Sequence, residues 1–319
     1  MSVLWLLRHS VRMAIKQGDP GRLTYRYLRV AIVAVVLVLF VSLTMQIVAD
    51  HGRLDSGEEW WHASISAYFY SPVQSVFVGA LVGIGTCLIA IKGRHGAEEV
   101  LLNFAGMFAV VVALVPTPLD ADMCTAEPYC LDVPERVGNN IGTLLLVGGL
   151  VLALATWPRR RDLGGREGWD LWLTWLTWAG TGDWLLLWPE SFLAAAHYAA
   201  AVLLFCCLVA VAWINGSDQM ITAQALERLR GMSAAAYRVW YRAIAVVMAV
   251  VLVVGLATMV LLDRYLPDLF PQTLFVVETV LMLVFALFWV LQTIQFWDIG
   301  LPARARVESS KVPGDTPET

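Results

Sequence analysis

Long apolar segments recur along this chain, separated by shorter polar ones. Each apolar segment approaches the roughly 20 residues that a helix needs to cross the hydrocarbon core of a bilayer. The pattern predicts an all-α, polytopic membrane protein, a bundle of eight transmembrane helices. The predicted membrane spans are residues 30–48, 73–91, 100–117, 140–157, 171–188, 191–214, 243–262 and 273–295.

The composition supports lipid as the solvent of this bundle. Of the 319 residues, 59% are hydrophobic and 15% are charged, and the mean hydropathy is +0.67. A water-facing surface needs more polar side chains than this. We therefore expect one transmembrane domain over residues 30–298 and no second domain. Residues 299–319 are rich in Pro, Ser and charge, which predicts a disordered cytoplasmic tail.

We expect the first 29 residues to form a separate cytoplasmic or interfacial segment. Between residues 3 and 16, apolar residues recur at helical spacing and three basic residues occupy another face, which is typical of an amphipathic helix in the headgroup region. A loose cytoplasmic tail is the alternative. The first apolar patch is too short for a cleavable signal peptide, and we expect none.

The basic residues indicate the orientation of the bundle. Lys and Arg accumulate on the cytoplasmic side of membrane proteins. If both termini lie in the cytoplasm, 19 of the 22 Lys and Arg residues fall on that side. The charge pattern therefore predicts an N-in, C-in topology.

The same topology places Cys124 and Cys130 together in an outward-facing loop. Two cysteines this close can form a disulfide bond in an oxidising compartment. Cys87, Cys206 and Cys207 fall within predicted spans, where cysteine more often acts as a small apolar residue.

Polar side chains gather at the outer ends of the predicted helices. Ionisable groups inside a membrane are costly, so they usually face a partner or a wet cavity. Glu278 and His197 are the strongest candidates because a neutral imidazole and a carboxylate can act as a proton-transfer pair. We predict an outward-facing cavity with Glu278 and His197 as its ionisable pair. The candidate ligand-binding residues are Ser64, Ser66, Tyr70, Asp120, Asn140, Asp183, His197 and Glu278. Alternatively, each of these side chains only ties helices together through hydrogen bonds.

Several other chemistries lack the residues they need. One of the five histidines lies within a predicted span, which cannot supply a haem-ligating bundle or a three-histidine zinc site. No predicted span carries a lysine for a Schiff base. We therefore expect no cofactor and no metal. With no exposed basic domain, we also expect no nucleic-acid partner.

Four stretches carry a resemblance to known proteins. SISAYFYSPVQSVFVGALVGIG, followed by AEEVLLNFAGMFAVVVALVPT, resembles a group of bacterial polytopic proteins similar to the DUF998 and Frag1-like membrane proteins. The likeness continues through AAAHYAAAVLLF and VVETVLMLVFALFW. It implies a multi-pass protein of the bacterial cytoplasmic membrane and brings no activity with it.

A more distant likeness is to alkaline-ceramidase-like hydrolases, which pair a serine near the second span with an aspartate and zinc-binding histidines. Ser64 or Ser66 and Asp120 are similar to the first two elements of that pattern. The histidine cluster has no counterpart in this sequence.

Three functional interpretations follow, and whether the chain is an enzyme stays open. The first is a non-enzymatic membrane protein whose outward-facing cavity binds, senses or passes a small ligand, a lipid head group or a proton. The second is a membrane-embedded lipid hydrolase that uses Ser64 or Ser66 with His197 as base. The third is an accessory subunit or scaffold. The expected partners are membrane lipids and, for the third interpretation, another membrane subunit or a second copy of the chain.

Overall fold

The fold was determined as a computed structural model, which describes residues 20–52, 61–93, 96–118, 130, 132–157, 169–217, 232–265 and 272–297. Eight α-helices and one short 3-10 helix make up the secondary structure of these residues. The α-helices are α1 Pro20–His51, α2 Gln74–Ala90, α3 Gly96–Leu114, α4 Val133–Thr156, α5 Trp169–Leu187, α6 Pro189–Ser217, α7 Ala234–Tyr265 and α8 Thr273–Gln295. The 3-10 helix, Ser66–Tyr70, precedes α2.

Each predicted span overlaps one of these helices. In the described part of the chain, six helices are long and apolar enough to cross a membrane, namely α1, α3, α4, α6, α7 and α8. α2 is apolar but has 17 residues, and α5 carries five tryptophans that lower its hydropathy. Large apolar side chains cover the outer faces, and Met45 of α1 is 69% exposed. Such a surface suits lipid rather than water.

Prolines set several helix boundaries. α1 and α6 begin at Pro20 and Pro189, where the missing N–H costs no intrahelical hydrogen bond. Pro189 also keeps the preceding residue out of the helical conformation, so Trp188 alone separates α5 from α6. α3 ends at Leu114 because Pro116 cannot donate to the Val112 carbonyl.

Six helices form a closed ring. In the order α1, α2, α3, α6, α7 and α8, each packs against the next, and α8 returns to α1. At the α1–α8 contact, the Arg26 guanidinium donates to the Trp297 carbonyl and Arg29 lies over the Phe296 ring. The α4–α5 hairpin lies outside the ring against α3 and α6. Two clusters of the hydrophobic core lie among the six ring helices, and a smaller third one packs α4 against α3 and α6.

Two glycines allow the closest helix approach in the ring. A Cβ atom on Gly85 of α2 would lie 2.6 Å from the carbonyl oxygen of Gly106 of α3, and a Cβ on Gly106 would lie equally close to the Gly85 carbonyl. The two backbones touch at this crossing because neither residue has a side chain.

Some sequence predictions concern other parts of the chain. The interfacial segment before residue 20, the tail from residue 299 and Cys124 all lie outside the described residues. The Cys124–Cys130 disulfide therefore stays a prediction. Cys87, Cys206 and Cys207 carry free thiols.

Candidate functional site

A buried segment closes one end of the helix ring. Residues 64–71 are all buried, although they lie between the α-helices α1 and α2 and include the short 3-10 helix. The Ser64 hydroxyl oxygen accepts a hydrogen bond from the Ala67 N–H at 3.0 Å and so stabilises the turn into the 3-10 helix. We call residues 64–70 the cap segment.

Glu278 of α8 holds the cap segment in place. Its Oε2 atom accepts hydrogen bonds from the N–H groups of Ile65, at 2.5 Å, and Ser66, at 3.2 Å. Its Oε1 atom accepts a hydrogen bond from the Ser66 hydroxyl. Just before this point the Phe275 N–H donates to the Ala63 carbonyl at 2.8 Å. One carboxylate therefore receives three donors from a segment about 210 residues away in sequence.

His197 of α6 is bound to the end of α3. Its Nδ1 atom lies 2.7 Å from the Val115 carbonyl oxygen, and the ring also interacts with the Val112 carbonyl. These carbonyls need outside donors because α3 ends and Pro116 has no N–H. A carbonyl oxygen only accepts hydrogen bonds, so Nδ1 carries the proton.

A chain of hydroxyl groups lies beside His197. The Tyr70 hydroxyl donates to the Thr117 carbonyl at 2.6 Å, and Thr117 Oγ1 shares a hydrogen bond of 2.7 Å with the Tyr198 hydroxyl. Burial raises the pKa of Tyr70 to about 12, so this hydroxyl keeps its proton and remains a donor.

The cap segment, α8 and α6 enclose one end of a central cavity. The cavity has a volume of about 120 Å³, and all six ring helices contribute to its wall. Its described wall is apolar apart from Ser66, His197, Tyr198 and Glu278. Leu256 of α7 lines the cavity and is also 40% exposed, so the cavity reaches the lipid-facing surface on that side.

The structure separates the candidate residues into three groups. Ser66, His197 and Glu278 line the central cavity. Ser64 and Tyr70 are buried behind it in the cap segment. Asn140 and Asp183 lie on the α4–α5 hairpin outside the ring, where Asp183 is exposed, and Asp120 lies outside the described residues.

His197 and Glu278 share the cavity without pairing. Among the hydrogen bonds of the described residues, none joins His197 to Glu278, and none joins His197 to Ser64 or Ser66. The Ser66 hydroxyl donates to Glu278 instead of to the imidazole. Among the described residues, neither serine therefore makes the serine–histidine hydrogen bond that is typical of nucleophilic catalysis. The described residues also contain no group of three or more His, Cys, Asp or Glu side chains that could hold a metal ion.

A second polar cluster lies at the opposite end of the ring, and the sequence analysis missed it. The Asn215 side-chain amide of α6 donates to Glu98 Oε1 of α3 at 2.8 Å and accepts from Gln292 Nε2 of α8 at 3.1 Å. One turn further along α8, Gln295 accepts from the Tyr241 hydroxyl of α7 at 2.5 Å. The sequence signal for this cluster was the i, i+3 spacing of Gln292 and Gln295 on an otherwise apolar helix.

The tryptophan-rich helix α5 contacts its neighbour in the hairpin. The Trp178 indole N–H donates to the Leu145 carbonyl of α4 at 2.8 Å, and the ring packs against Gly149. Trp178 is thus engaged within the chain, whereas Trp169, Trp172 and Trp188 of the same region are more than half exposed.

Comparisons of the chain with protein-family models, with curated proteins and with solved structures give no match. The resemblance to the DUF998 and Frag1-like membrane proteins therefore stays a prediction from the sequence.

Proposed function

We propose that this chain is a multi-pass protein of the bacterial cytoplasmic membrane that binds an amphiphilic small molecule in its central cavity. In this proposal all eight helices cross the bilayer, both termini are cytoplasmic, and the cap segment lies at the outer face. The observation that carries the proposal is the cavity itself, an apolar space inside the ring that ends at Ser66 and Glu278.

The distribution of polar groups favours binding over passage of a proton. The polar end of the cavity is formed by the starts of α6 and α8, and the Asn215 cluster lies at their far ends. Between the two, α6 presents Ala201, Leu204 and Phe205 to the cavity. A proton path needs hydrogen-bonding groups at each step. An apolar wall instead suits a hydrocarbon chain.

The exposed position of Leu256 gives the ligand a route of entry. An amphiphile dissolved in the bilayer can reach the cavity sideways through the α7 face, with its polar end toward the cap segment. This route keeps the hydrocarbon chain out of water throughout.

A cavity-filling variant tests the proposal. Ala201 lines the cavity, whereas Ala194 is exposed on the same helix. The full-length protein and the Ala201→Phe and Ala194→Phe variants are purified in nanodiscs, and bound amphiphiles are identified by mass spectrometry. We expect bound amphiphile in the wild type and in Ala194→Phe, and an occupancy lower by about tenfold in Ala201→Phe. Equal occupancy in both variants would overturn the proposal, as would an empty wild-type protein that no added amphiphile stabilises.

The orientation needs a separate measurement. Reporter fusions at the carboxyl terminus, one active only in the cytoplasm and one active only outside it, distinguish the two topologies. The proposal predicts activity of the cytoplasmic reporter alone.

A further inference from the structure

We infer that the amphiphile in the central cavity carries a primary ammonium head group, an inference that rests on the proposed function. The polar groups that line the cavity decide this class of ligand. Their hydrogen-bonding capacity and their charge both favour an ammonium group.

Glu278 offers a free acceptor position to the cavity. Each carboxylate oxygen can accept about two hydrogen bonds. Oε2 already receives two, from the Ile65 and Ser66 N–H groups, and Oε1 receives one, from the Ser66 hydroxyl. Oε1 therefore retains an acceptor site, and the side chain lines the cavity.

His197 also presents an acceptor. Its Nδ1–H is committed to the Val115 carbonyl, which is not part of the cavity wall. In a neutral imidazole the other nitrogen, Nε2, has a lone pair and no proton. Because His197 lines the cavity and its Nδ1 is bound to Val115, Nε2 is the ring nitrogen left to accept from a ligand.

The described cavity wall contains one acidic side chain and no basic one. The acidic side chain is Glu278, and neither lysine nor arginine lines the cavity. Arg136, a cation at the same end of the bundle, is engaged with the Gln74 side chain and the Phe69 ring outside the cavity. A phosphate or carboxylate head group would find no cation in the described wall to compensate its charge. A primary ammonium group supplies a positive charge and three N–H donors.

The ammonium would bind between the two acceptors. It donates to Glu278 Oε1 and to His197 Nε2, while the hydrocarbon chain lies along the apolar walls formed by α6, α7 and α8. Charge-assisted hydrogen bonds in a water-poor site are the strong ones, so the head group sets the specificity.

A series of ligands with the same tail tests this inference. Wild-type protein in phosphatidylcholine nanodiscs is titrated with dodecylamine, dodecanol, dodecanoate and dodecyltrimethylammonium, with empty nanodiscs as the control for partitioning. The readouts are the shift in melting temperature and the affinity. We expect dodecylamine to bind about tenfold or more tightly than dodecanol, since hydrogen bonds to charged groups are the stronger kind. The trimethylammonium compound, which has charge but no N–H, should fall below dodecylamine, and dodecanoate should bind most weakly.

Variants assign the effect to Glu278. Glu278→Gln should lose the preference for the amine over the alcohol, whereas Glu190→Gln, at an exposed position of α6, should keep it. If Glu278→Gln does not fold, the order in which the wild-type protein binds the four ligands tests the ammonium inference. Equal binding of dodecylamine and dodecanol would overturn the ammonium inference and leave amphiphile binding intact. Absence of binding by the whole series would count against the proposed function itself.

Discussion

Glu278 and Ser66 are joined by two hydrogen bonds, one from the Ser66 N–H and one from its hydroxyl, although 212 residues separate them in the sequence. This contact fastens the cap segment to the start of α8. The carboxylate thus has a structural role in addition to its proposed role toward the ligand. The two roles predict different effects for changes at the two residues.

Ser66→Ala removes one donor to the carboxylate and leaves the backbone donors in place. We expect the free energy of unfolding to fall by about 1–3 kcal/mol, the cost of losing a hydrogen bond to a charged group. Ser75→Ala, at an exposed position of α2, is the matched control and should leave stability unchanged. Thermal unfolding in detergent measures both. Equal melting temperatures for the two variants would show that the Ser66 hydroxyl does not stabilise the contact between the cap segment and α8.

Gly85 and Gly79 belong to the same GALVGIG segment but should respond in opposite ways to alanine. A Cβ at Gly85 meets the Gly106 carbonyl oxygen at 2.6 Å, whereas a Cβ at Gly79 meets no described atom within 4 Å. Gly85→Ala must push α2 and α3 apart, so we expect it to lower stability by about 1–3 kcal/mol. Gly79→Ala should raise it by up to about 1 kcal/mol through helix propensity. The order of the two melting temperatures checks this prediction.

His62, in the chain before the cap segment, should make stability depend on pH. Its backbone N–H donates to the Tyr68 hydroxyl at 3.4 Å, and its ring packs edge-on against the Tyr68 ring. Burial lowers the pKa of His62 below its ordinary value of 6.5, with Asp50 opposing the shift. The unfolded chain therefore binds a proton more readily than the folded chain.

The direction of the pH dependence follows from the lowered pKa of His62. The stabilisation from neutral, buried His62 is complete above pH 6.5 and is lost as the pH falls below that value. His62→Gln should flatten the fall in melting temperature between pH 7 and the folded-state pKa, relative to the wild type. Parallel pH profiles for the two proteins would rule out this contribution.

The sequence could predict the helices because the bilayer acts on each segment separately. A span must be apolar over about 20 residues whatever its neighbours are. The predicted eighth span, 273–295, accordingly coincides with Thr273–Gln295. Glu278 and His197 could be named as candidate residues for the same reason, because the cost of an ionisable group in lipid depends on its own span and not on the other helices.

The partners of these residues could not be predicted in the same way. Glu278 is bound largely by backbone N–H groups of the cap segment, which leave no signal in side-chain identity. Depth in the membrane can be derived from position along a span, but position around the bundle cannot. Asn140 and Asp183 were therefore predicted as ligand-binding residues from their depth along a span, although the hairpin that carries them lies outside the ring.

The Asn215 cluster offers the sharpest test of the end of the bundle opposite the cavity. Asn215 is 1% exposed, and its side chain connects Glu98 of α3 with Gln292 of α8. Asn215→Ala removes a donor to the buried Glu98 carboxylate and an acceptor for Gln292, so we expect a loss of about 1–3 kcal/mol in unfolding free energy. Asn139→Ala, at an exposed position of α4, is the matched control.

A double-mutant cycle of Asn215→Ala with Glu98→Gln separates this interaction from general damage. Because the two side chains are in direct contact, the combined loss should differ from the sum of the single losses by more than about 0.5 kcal/mol. Strictly additive losses would mean that the hydrogen bond carries no stabilisation. Ligand binding in the central cavity should persist in any variant of this cycle that folds, because the cluster lies at the far ends of α6 and α8 from Glu278 and His197.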